Sequence, residues 1–234
     1  MTMTKNINTP LSEAEMHSLW AKAYEQNNYA KPFLATKVLL NTHALLERDY
    51  GADARFENVI EVGAGSGIHF GFVRHAFEKY VMCDASQEIL DTIEVPAGLE
   101  DRVETRVVDA TALPYDDDSF DRLIATHVLE HIPAPHNVLQ EWARVVKPGG
   151  VLSIILPCDP GLLWRFGRTL GPRKAGISAG LPYDYYMATE HINSIQNLTT
   201  IIESLFPVKR TRWWPMPFVR FCDANLIYAT NISL

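Results

Sequence analysis

The sequence lacks the features that would assign it to a membrane, secreted or repeat-built class. No apolar run approaches the roughly 18 residues that a membrane-spanning helix needs, and no apolar signal core follows the polar first residues. Three cysteines, Cys83, Cys158 and Cys222, are too few and too far apart for a disulfide framework or a zinc site. No internal repeat is evident. These absences predict a cytoplasmic protein in a reducing compartment.

The chain is also poor in positive charge, with 21 Lys and Arg against 28 Asp and Glu. An acidic protein is a poor candidate for general nucleic-acid binding. The deficit is uneven, because residues 151–234 carry 8 basic side chains against 5 acidic ones. Four of these, Arg165, Arg168, Arg173 and Lys174, would favour an anionic substrate or a membrane surface. A solvated loop face is the more common explanation.

What the 234 residues do contain fits one α/β domain with additions, at 47% hydrophobic and 21% charged residues. Strand and helix patterns alternate from residue 57 onward, which predicts a parallel sheet covered on both faces. The strands are predicted at 58–62, 79–84, 101–108, 122–126, 151–156, 207–214 and 223–230. Helices are predicted at 67–78, 86–93, 137–146 and 191–206.

Two further segments flank this alternation. Ser12 and Glu15 form a capping-box pattern that opens a helix to about residue 26, and a second helix over 33–50 is predicted to stop at Gly51. Residues 157–190 are rich in Gly, Pro and aromatic residues, which predicts a loop-rich insertion of the kind that is usually functional. It follows strand five.

The first strand runs into three glycines at alternate positions, Gly63, Gly65 and Gly67. Glycine permits a positive-φ turn and close approach of a ligand to the backbone, and strand ends of this kind are where open α/β sheets bind ligands. A dinucleotide fingerprint would need glycine at position 68, where Ile68 stands. The spacing therefore disfavours a dehydrogenase.

This glycine pattern, with Glu61 two residues before it, resembles motif I of the class I S-adenosylmethionine (SAM) methyltransferases. The resemblance implies that the turn, including Ala64, lies against the methionine and ribose of SAM, with Glu61 facing the methionine ammonium. The alternative is a glycine-rich turn in another nucleotide-binding α/β protein.

The next strand ends in Asp84, 21 residues after Gly63, which is close to the spacing at which a carboxylate reaches ribose hydroxyls. A carboxylate suits a vicinal diol because it accepts two hydrogen bonds and has no donors. Ala85 follows it in the expected cofactor site. The alternative role for Asp84 is the N-cap of a helix over 86–93.

Further motifs extend the resemblance over residues 57–156. Asp109 would accept from the adenine amine with the N–H of Ala110 near ring N1, and His127 would lie by the methionine end. Three more segments resemble sequence motifs of the family: Pro114–Asp121, Leu129-Glu130-His131 and Lys147-Pro148-Gly149-Gly150.

The family resemblance implies a Rossmann-like, doubly wound, mostly parallel seven-stranded sheet of order 3-2-1-4-5-7-6 with the last strand antiparallel. We expect one methyltransferase domain over 1–234. Its parts would be an N-terminal helical cap (1–56), a SAM-binding core (57–156), a substrate-side insertion (157–190) and a C-terminal helix with strands six and seven (191–234).

Methyl transfer to a hydroxyl needs a base of near-neutral pKa, whereas an amine need only arrive deprotonated. The candidate bases are His191 and His131, although capping and a structural role are open for them. Packing is the alternative for the aromatic candidates, and no metal is expected. The residues expected to touch substrate are Tyr24, Asp159, Tyr183 and Tyr186.

The implied function is a SAM-dependent O- or N-methyltransferase whose partner is a small-molecule, in one reading anionic, methyl acceptor. A second reading is a peripheral-membrane enzyme that methylates a lipid head group, suggested by the apolar segments 162–166 and 213–218. A third is a catalytically silent SAM-binding partner subunit.

Overall fold

A computed structural model describes residues 11, 12, 15, 16, 18–20 and 42–234. These residues form one seven-stranded sheet with the order β3-β2-β1-β4-β5-β7-β6. β7 runs antiparallel to both β5 and β6, and the other pairings are parallel. The predicted order and the antiparallel last strand are confirmed. The strands are β1 Arg55–Val62, β2 Ala76–Asp84, β3 Val103–Val107, β4 Phe120–Thr126, β5 Val146–Pro157, β6 Lys209–Trp214 and β7 Ile227–Ser233.

The helices of the described residues are short, and none is long and apolar enough to cross a membrane. Two 3-10 turns, His69–Phe72 and Cys222–Ala224, accompany them. In chain order the helices are α1 Ala44–Glu47, α2 Gln87–Leu90, α3 Pro135–Val145, α4 Leu162–Leu170, α5 Pro172–Ser178, α6 Tyr183–Glu190 and α7 Ile195–Leu205.

The helix predicted over 67–78 is wrong. Only the 3-10 turn His69–Phe72 follows the glycines. β2 then begins at Ala76, which lies opposite Arg55 in the parallel ladder with β1. Pairing with a neighbouring strand therefore decides the conformation of residues 76–78, which local periodicity had assigned to a helix.

The loop-rich insertion predicted over 157–190 is also wrong, because most of it is helical. Gly171 ends α4 and Pro172 opens α5, while Pro182 precedes α6. Proline is favoured in the first helical turn and glycine beyond the last one. The Gly and Pro residues of this segment thus mark helix boundaries.

The predicted capping box at residues 12–15 is present. Glu15 N donates to Ser12 Oγ at 3.3 Å, and Ser12 N donates to Glu15 Oε2 at 2.8 Å. The helix that it opens and the helix predicted over 33–50 fall mostly outside the described residues. Their described parts include α1, which ends before Gly51 as expected.

Apolar side chains cover both faces of the sheet. One face carries a core built around Trp142 of α3, Ile202 of α7 and Leu123 of β4. The other carries Leu46 of α1 packed with Ile124 and neighbouring strand residues. At the amino end of β4, Asp121 accepts from Asn58 N at 2.7 Å and from Lys147 Nζ at 2.9 Å. These bonds connect β1, β4 and β5 at the end of the sheet opposite the glycine turn.

A buried ion pair joins α1 to the middle of the sheet. Arg122 is 0% and Glu47 is 5% exposed, and the guanidinium donates to both carboxylate oxygens at 2.7 and 3.1 Å. Arg122 Nε also donates to Ser153 Oγ at 3.0 Å, and His69 Nε2 lies 3.1 Å from Glu47 Oε1. Burial opposes ionisation of Glu47, but His69 and Arg122 outweigh it and lower the pKa of Glu47 to about 2.

Replacing Glu47 by Gln should destabilise the protein by about 3–5 kcal/mol, because it leaves the Arg122 charge buried without a partner. A carboxylate whose pKa is lowered on folding stabilises above its unfolded pKa and loses that contribution as pH falls. Wild-type stability should therefore drop between pH 4.5 and about 2, and Glu47→Gln should show a shallower slope. Urea unfolding across this range measures both effects.

The matched control is Glu94→Gln, since Glu94 is exposed. Equal unfolding free energies for Glu47→Gln and Glu94→Gln would contradict the role given to this ion pair.

Candidate functional site

The glycine turn after β1 lies directly against the segment that follows β4. Gly63 has φ +68°, and a Cβ at this position would lie 2.4 Å from Val128 Cγ2. A larger residue at position 63 would therefore separate the two loops as well as strain the backbone. His127 also has a positive φ of 58°, and its N–H donates to Ile155 O at 3.0 Å. The carboxyl ends of β1, β4 and β5 thus meet at one point.

Asp84 at the end of β2 is bonded to the same turn. Gly65 N donates to Asp84 Oδ2 and Ser86 N donates to Asp84 Oδ1, each at 3.0 Å. A carboxylate offers about four acceptor positions, so acceptor capacity remains on both oxygens. The alternative of a helix N-cap is wrong for Asp84, because Ser86 is the N-cap of α2 and accepts from Ile89 N. Ala85, between them, is exposed.

Glu61 lies in β1, one residue before its end, and its side chain is fully buried. Tyr80 donates to Glu61 Oε2 at 2.6 Å, whereas Glu61 Oε1 has no hydrogen-bond partner among the described residues. Burial raises the pKa of the Glu61 carboxyl, against the opposing effect of His69. A buried acceptor without a donor is costly, which makes it a candidate for binding an external donor.

Asp109 follows β3 and is exposed beside the same edge of the sheet. Thr111 donates to Asp109 Oδ1 through its N–H at 2.8 Å and its hydroxyl at 2.7 Å, which lowers the pKa of Asp109. The next carbonyl, Ala110 O, accepts from Trp142 Nε1 at 2.9 Å. The Asp109-Ala110 segment is therefore held by the buried Trp142 of α3, and Asp109 Oδ2 has no bond to a described residue.

Two histidines behind the glycine turn were not predicted. His43 Nδ1 lies 3.2 Å from His69 Nδ1, and the His43 ring centroid lies 6.2 Å from that of His127. Burial lowers the pKa of His43 to about 2, with the nearby His127 and His69 acting in the same direction. His43 is thus held neutral next to the expected methionine end. No sequence pattern indicates His43, since it precedes β1 and the recognised motifs begin at the end of that strand.

The two histidines predicted as bases lie together. The ring centroids of His131 and His191 are 4.9 Å apart, with the planes at 87°. His131 Nδ1 is 3.1 Å from Glu190 O, so His131 connects the loop after β4 to the end of α6. Burial lowers the pKa of His131, opposed by the Glu130 carboxylate. His131 therefore both holds this loop in place and lies next to the other candidate base, His191.

His191 also faces Asp159, which follows β5. His191 Nδ1 lies 2.8 Å from Asp159 Oδ2, although without the alignment of a hydrogen bond. Arg168 Nη1 of α4 contacts the same oxygen at 3.2 Å. Burial opposes ionisation of Asp159, but His191 and Arg168 together lower the pKa of its carboxyl. Asp159 is thus a buried anion placed between an imidazole and a guanidinium.

The loop that carries His131 is held by a residue that the sequence did not single out. Asn193 Nδ2 donates to Leu129 O at 2.8 Å and to Ile132 O at 2.7 Å, and Asn193 N donates to Glu130 O at 3.1 Å. Asn193 stands two residues after His191, so one short segment contributes both a candidate base and the clamp for its neighbour. The one sequence feature that could have indicated Asn193 is its position two residues after His191.

The sequence predicted no metal site, yet the structure contains a group that could hold an ion. Ligand atoms of Glu130, His131 and His191 all lie within 4.8 Å of one another. Zinc with ligands at about 2.0–2.3 Å needs ligand atoms closer than that, so the rings would have to turn inward. Glu130 is already placed against His127, with 3.6 Å between its Oε1 and the ring Nδ1.

The expected substrate contacts of the tyrosines are not supported. Tyr24 lies outside the described residues. Tyr183 is 2% and Tyr186 is 4% exposed, and their rings pack against Trp20 at centroid distances of 6.1 and 5.6 Å. Core packing, the alternative interpretation of both, is what the structure shows. The apolar surroundings, which include Met16, explain why these aromatic side chains are buried.

Comparisons with known proteins agree with this fold and its motifs. The sequence pattern of a family described as "Methyltransferase domain" matches residues 60–154. A phosphatidylethanolamine N-methyltransferase of Cereibacter sphaeroides is 33% identical over 132 residues, which cover 51% of this chain and 64% of that protein. A 27-O-demethylrifamycin SV methyltransferase of Amycolatopsis mediterranei is 40% identical over 96 residues, or 39% of this chain and 35% of that protein.

A solved structure shares the fold over most of the chain. The N-methyltransferase NodS of Bradyrhizobium japonicum WM9, in complex with S-adenosylhomocysteine, superposes with a TM-score of 0.59 at 11% identity, covering 93% of this chain and 97% of that one. The chain spans less than two thirds of the two curated relatives above. Residues 60–154 thus match the methyltransferase-domain family, and the described residues share the fold of a methyltransferase that binds S-adenosylhomocysteine.

Proposed function

We propose that this protein transfers a methyl group from SAM to an oxygen or nitrogen of a small molecule. The observation that carries the proposal is the bond between Gly65 N and Asp84 at the carboxyl edge of the sheet. It fixes a carboxylate beside a glycine turn and leaves acceptor positions for a ribose diol. The acceptor class, the residue roles and the four-part division of residues 1–234 belong to this proposal.

The residues present fit the cofactor. A Cβ built at Gly65 would meet nothing within 4 Å, so the turn leaves open space where the backbone faces outward. Gly67 also has a positive φ, which completes the turn. Glu61 Oε1, which has no partner among the described residues, would accept from the methionine ammonium, either directly or through water. Asp109 would accept from the adenine amine, and His127 would lie near the methionine end.

SAM supplies a methyl group that is already activated on a sulfonium, so alignment and exclusion of water are the main tasks of the protein. For a hydroxyl acceptor, His191 would remove the proton through the ring nitrogen that does not face Asp159. The Asp159 carboxylate, which Arg168 contacts, lies 2.8 Å from the ring Nδ1 and would offset the charge that the ring gains on taking the proton. An amine acceptor would need only the positioning.

A second candidate has a specific observation in its favour. The relative that aligns over the largest share of its own length among those above is a phosphatidylethanolamine N-methyltransferase. A lipid amine needs no base once it is deprotonated, so His191 and Asp159 would then position the head group. The basic side chains of 151–234 would suit the phosphate of such a head group.

Calorimetry with S-adenosylhomocysteine tests the cofactor site, and a screen of hydroxyl, amine and lipid-amine acceptors for S-adenosylhomocysteine release tests the reaction. We expect binding and turnover. Tight binding without turnover on any acceptor would favour the silent partner subunit, and lack of binding would overturn the proposal.

Asp84→Ala should weaken the binding of S-adenosylhomocysteine by about 1–3 kcal/mol, or about 5- to 150-fold, because the ribose diol loses its hydrogen-bond acceptor. A cofactor analogue that lacks the 2′-hydroxyl should bind wild type more weakly but should bind the variant about as well as the parent compound. Calorimetry measures both. The control is Asp116→Ala in the exposed acidic turn. An unchanged affinity for Asp84→Ala would place the ribose elsewhere.

If His191 is the base, His191→Gln should lower kcat about 10²- to 10⁴-fold and leave cofactor affinity unchanged. Asp159→Asn should lower kcat less, because the ring of His191 stays in place and loses only the carboxylate that faces its Nδ1.

His131→Gln is the comparison, since it removes the neighbouring ring but not the one that faces Asp159. Rates should be unaffected by chelators. A rate lost with EDTA and restored by Zn²⁺ or Mg²⁺ would replace the base with a metal at Glu130, His131 and His191.

A further inference from the structure

Seven large apolar side chains are exposed in two neighbouring segments, which we call the apolar surface. Its α4 part has a stripe at four-residue spacing that is 59–65% exposed. Its second part is the loop between β6 and β7, where Phe218 is 98% exposed. The members are Leu162, Phe166 and Leu170 of α4, and Met216, Phe218, Val219 and Phe221 of the loop.

The two segments are joined at one end. Leu162 N, at the start of α4, donates to Asp223 Oδ1 at 2.9 Å. A Cβ at Gly161 would lie 2.5 Å from Cys222 O, so the start of α4 lies in direct contact with the 3-10 turn that ends the loop. The start of the exposed α4 stripe and the end of the loop are therefore neighbours. Contiguous exposed apolar areas of this kind mark interaction sites.

The loop is held in shape by a buried side chain. Asn225 is 0% exposed. It accepts from Met216 N at 2.9 Å and donates to Val219 O at 2.6 Å and Phe221 O at 3.0 Å. These three bonds satisfy three backbone groups of the loop, and the apolar side chains of the loop stay exposed. The exposure of Phe218 is thus a consequence of a defined loop conformation.

Three cations beside the apolar surface have no anionic partner among the described residues. Arg165 of α4, Lys174 of α5 and Arg220 of the loop are exposed and form no ion pair with another described residue. By contrast, Arg168 is paired with Asp159 and Arg173 with Asp184. Unpaired cations beside exposed Leu and Phe side chains are the pattern of surfaces that lie in the interface of an anionic bilayer.

We propose that the apolar surface docks the protein on an anionic lipid bilayer, with Phe218 and Phe166 inserted and Arg165, Lys174 and Arg220 at the head groups. A second copy of this chain is a poorer occupant, because a two-fold interface would bring the three cations of each copy together. The net charge of −7 opposes binding weakly, since charges beyond about 8 Å are screened at physiological salt.

This docking would place the candidate site at the bilayer. The opposite side of α4 carries Trp164, which packs against the sheet core, and Arg168, which contacts Asp159 beside His191. One helix therefore has the bilayer on one side and the site on the other. Docking on a bilayer goes beyond the proposed function, because it names the source of the methyl acceptor: a molecule that partitions into lipid.

Sedimentation with phosphatidylcholine vesicles, with and without phosphatidylglycerol, tests the docking without any need for turnover. We expect wild type to bind the anionic vesicles, with weaker binding at high salt. Phe218→Glu and Phe166→Glu should each reduce partitioning at least about tenfold, because an inserted apolar side chain becomes a charge. The triple variant Arg165→Glu, Lys174→Glu, Arg220→Glu should abolish the preference for anionic vesicles.

Val208→Glu is the matched control, since Val208 is 60% exposed and precedes β6 at the end of that strand away from the loop. Lack of wild-type binding at low salt, or an equal loss with Val208→Glu, would overturn the proposal. A dimer in light scattering that dissociates in Phe218→Glu would overturn it in favour of a second copy.

The same variants should bind S-adenosylhomocysteine like wild type, which shows that they are folded. Vesicle binding by a protein that fails to bind S-adenosylhomocysteine would leave this inference standing and remove the proposed function.

Discussion

The site depends on the contact between two backbone turns at the centre of the sheet. Gly63 and Val128 approach so closely that only hydrogen can occupy the side-chain position of residue 63. β1 and β4 are neighbours in the parallel order, so their carboxyl ends must end side by side. The turn after β1 continues toward β2, where Gly65 N donates to Asp84. The close contact at Gly63 and this hydrogen bond together hold the Asp84 carboxylate beside the turn.

On the face of the sheet that α1 covers, a buried ion pair connects the helix to the strands. Arg122 and Glu47 are buried with His69, and Arg122 continues through Ser153 to Asn231 of β7, whose amide donates to Leu46 O. A buried pair of this kind adds little over an apolar core, but removing one partner is costly. It therefore acts chiefly to select one position for α1 over the sheet. His43, one residue before α1, is placed next to His127 by that choice.

The sequence predicted well what is encoded within a strand and the turn after it. Asp84 was placed by its position at the end of β2 and Asp109 by its position after β3, and the strand order followed from the family resemblance. Residues 67–78 and 157–190 were predicted wrongly, because strand pairing at Ala76 and helix boundaries at Pro172 outweigh local composition. The contact between His131 and His191 spans 60 residues, and nothing in local spacing encodes it.

The segment after β5 shows why such a contact is hard to predict yet important. Within it, Asp159 faces the site, α4 carries Arg168 back to that carboxylate, and the other side of α4 exposes Phe166. An amphipathic pattern alone would place the apolar stripe of α4 in a core. Here the stripe faces outward, while the inner side of the helix carries Trp164 against the sheet core and Arg168 in its ion pair with Asp159. The exposed surface and the buried charge are thus two consequences of one helix orientation.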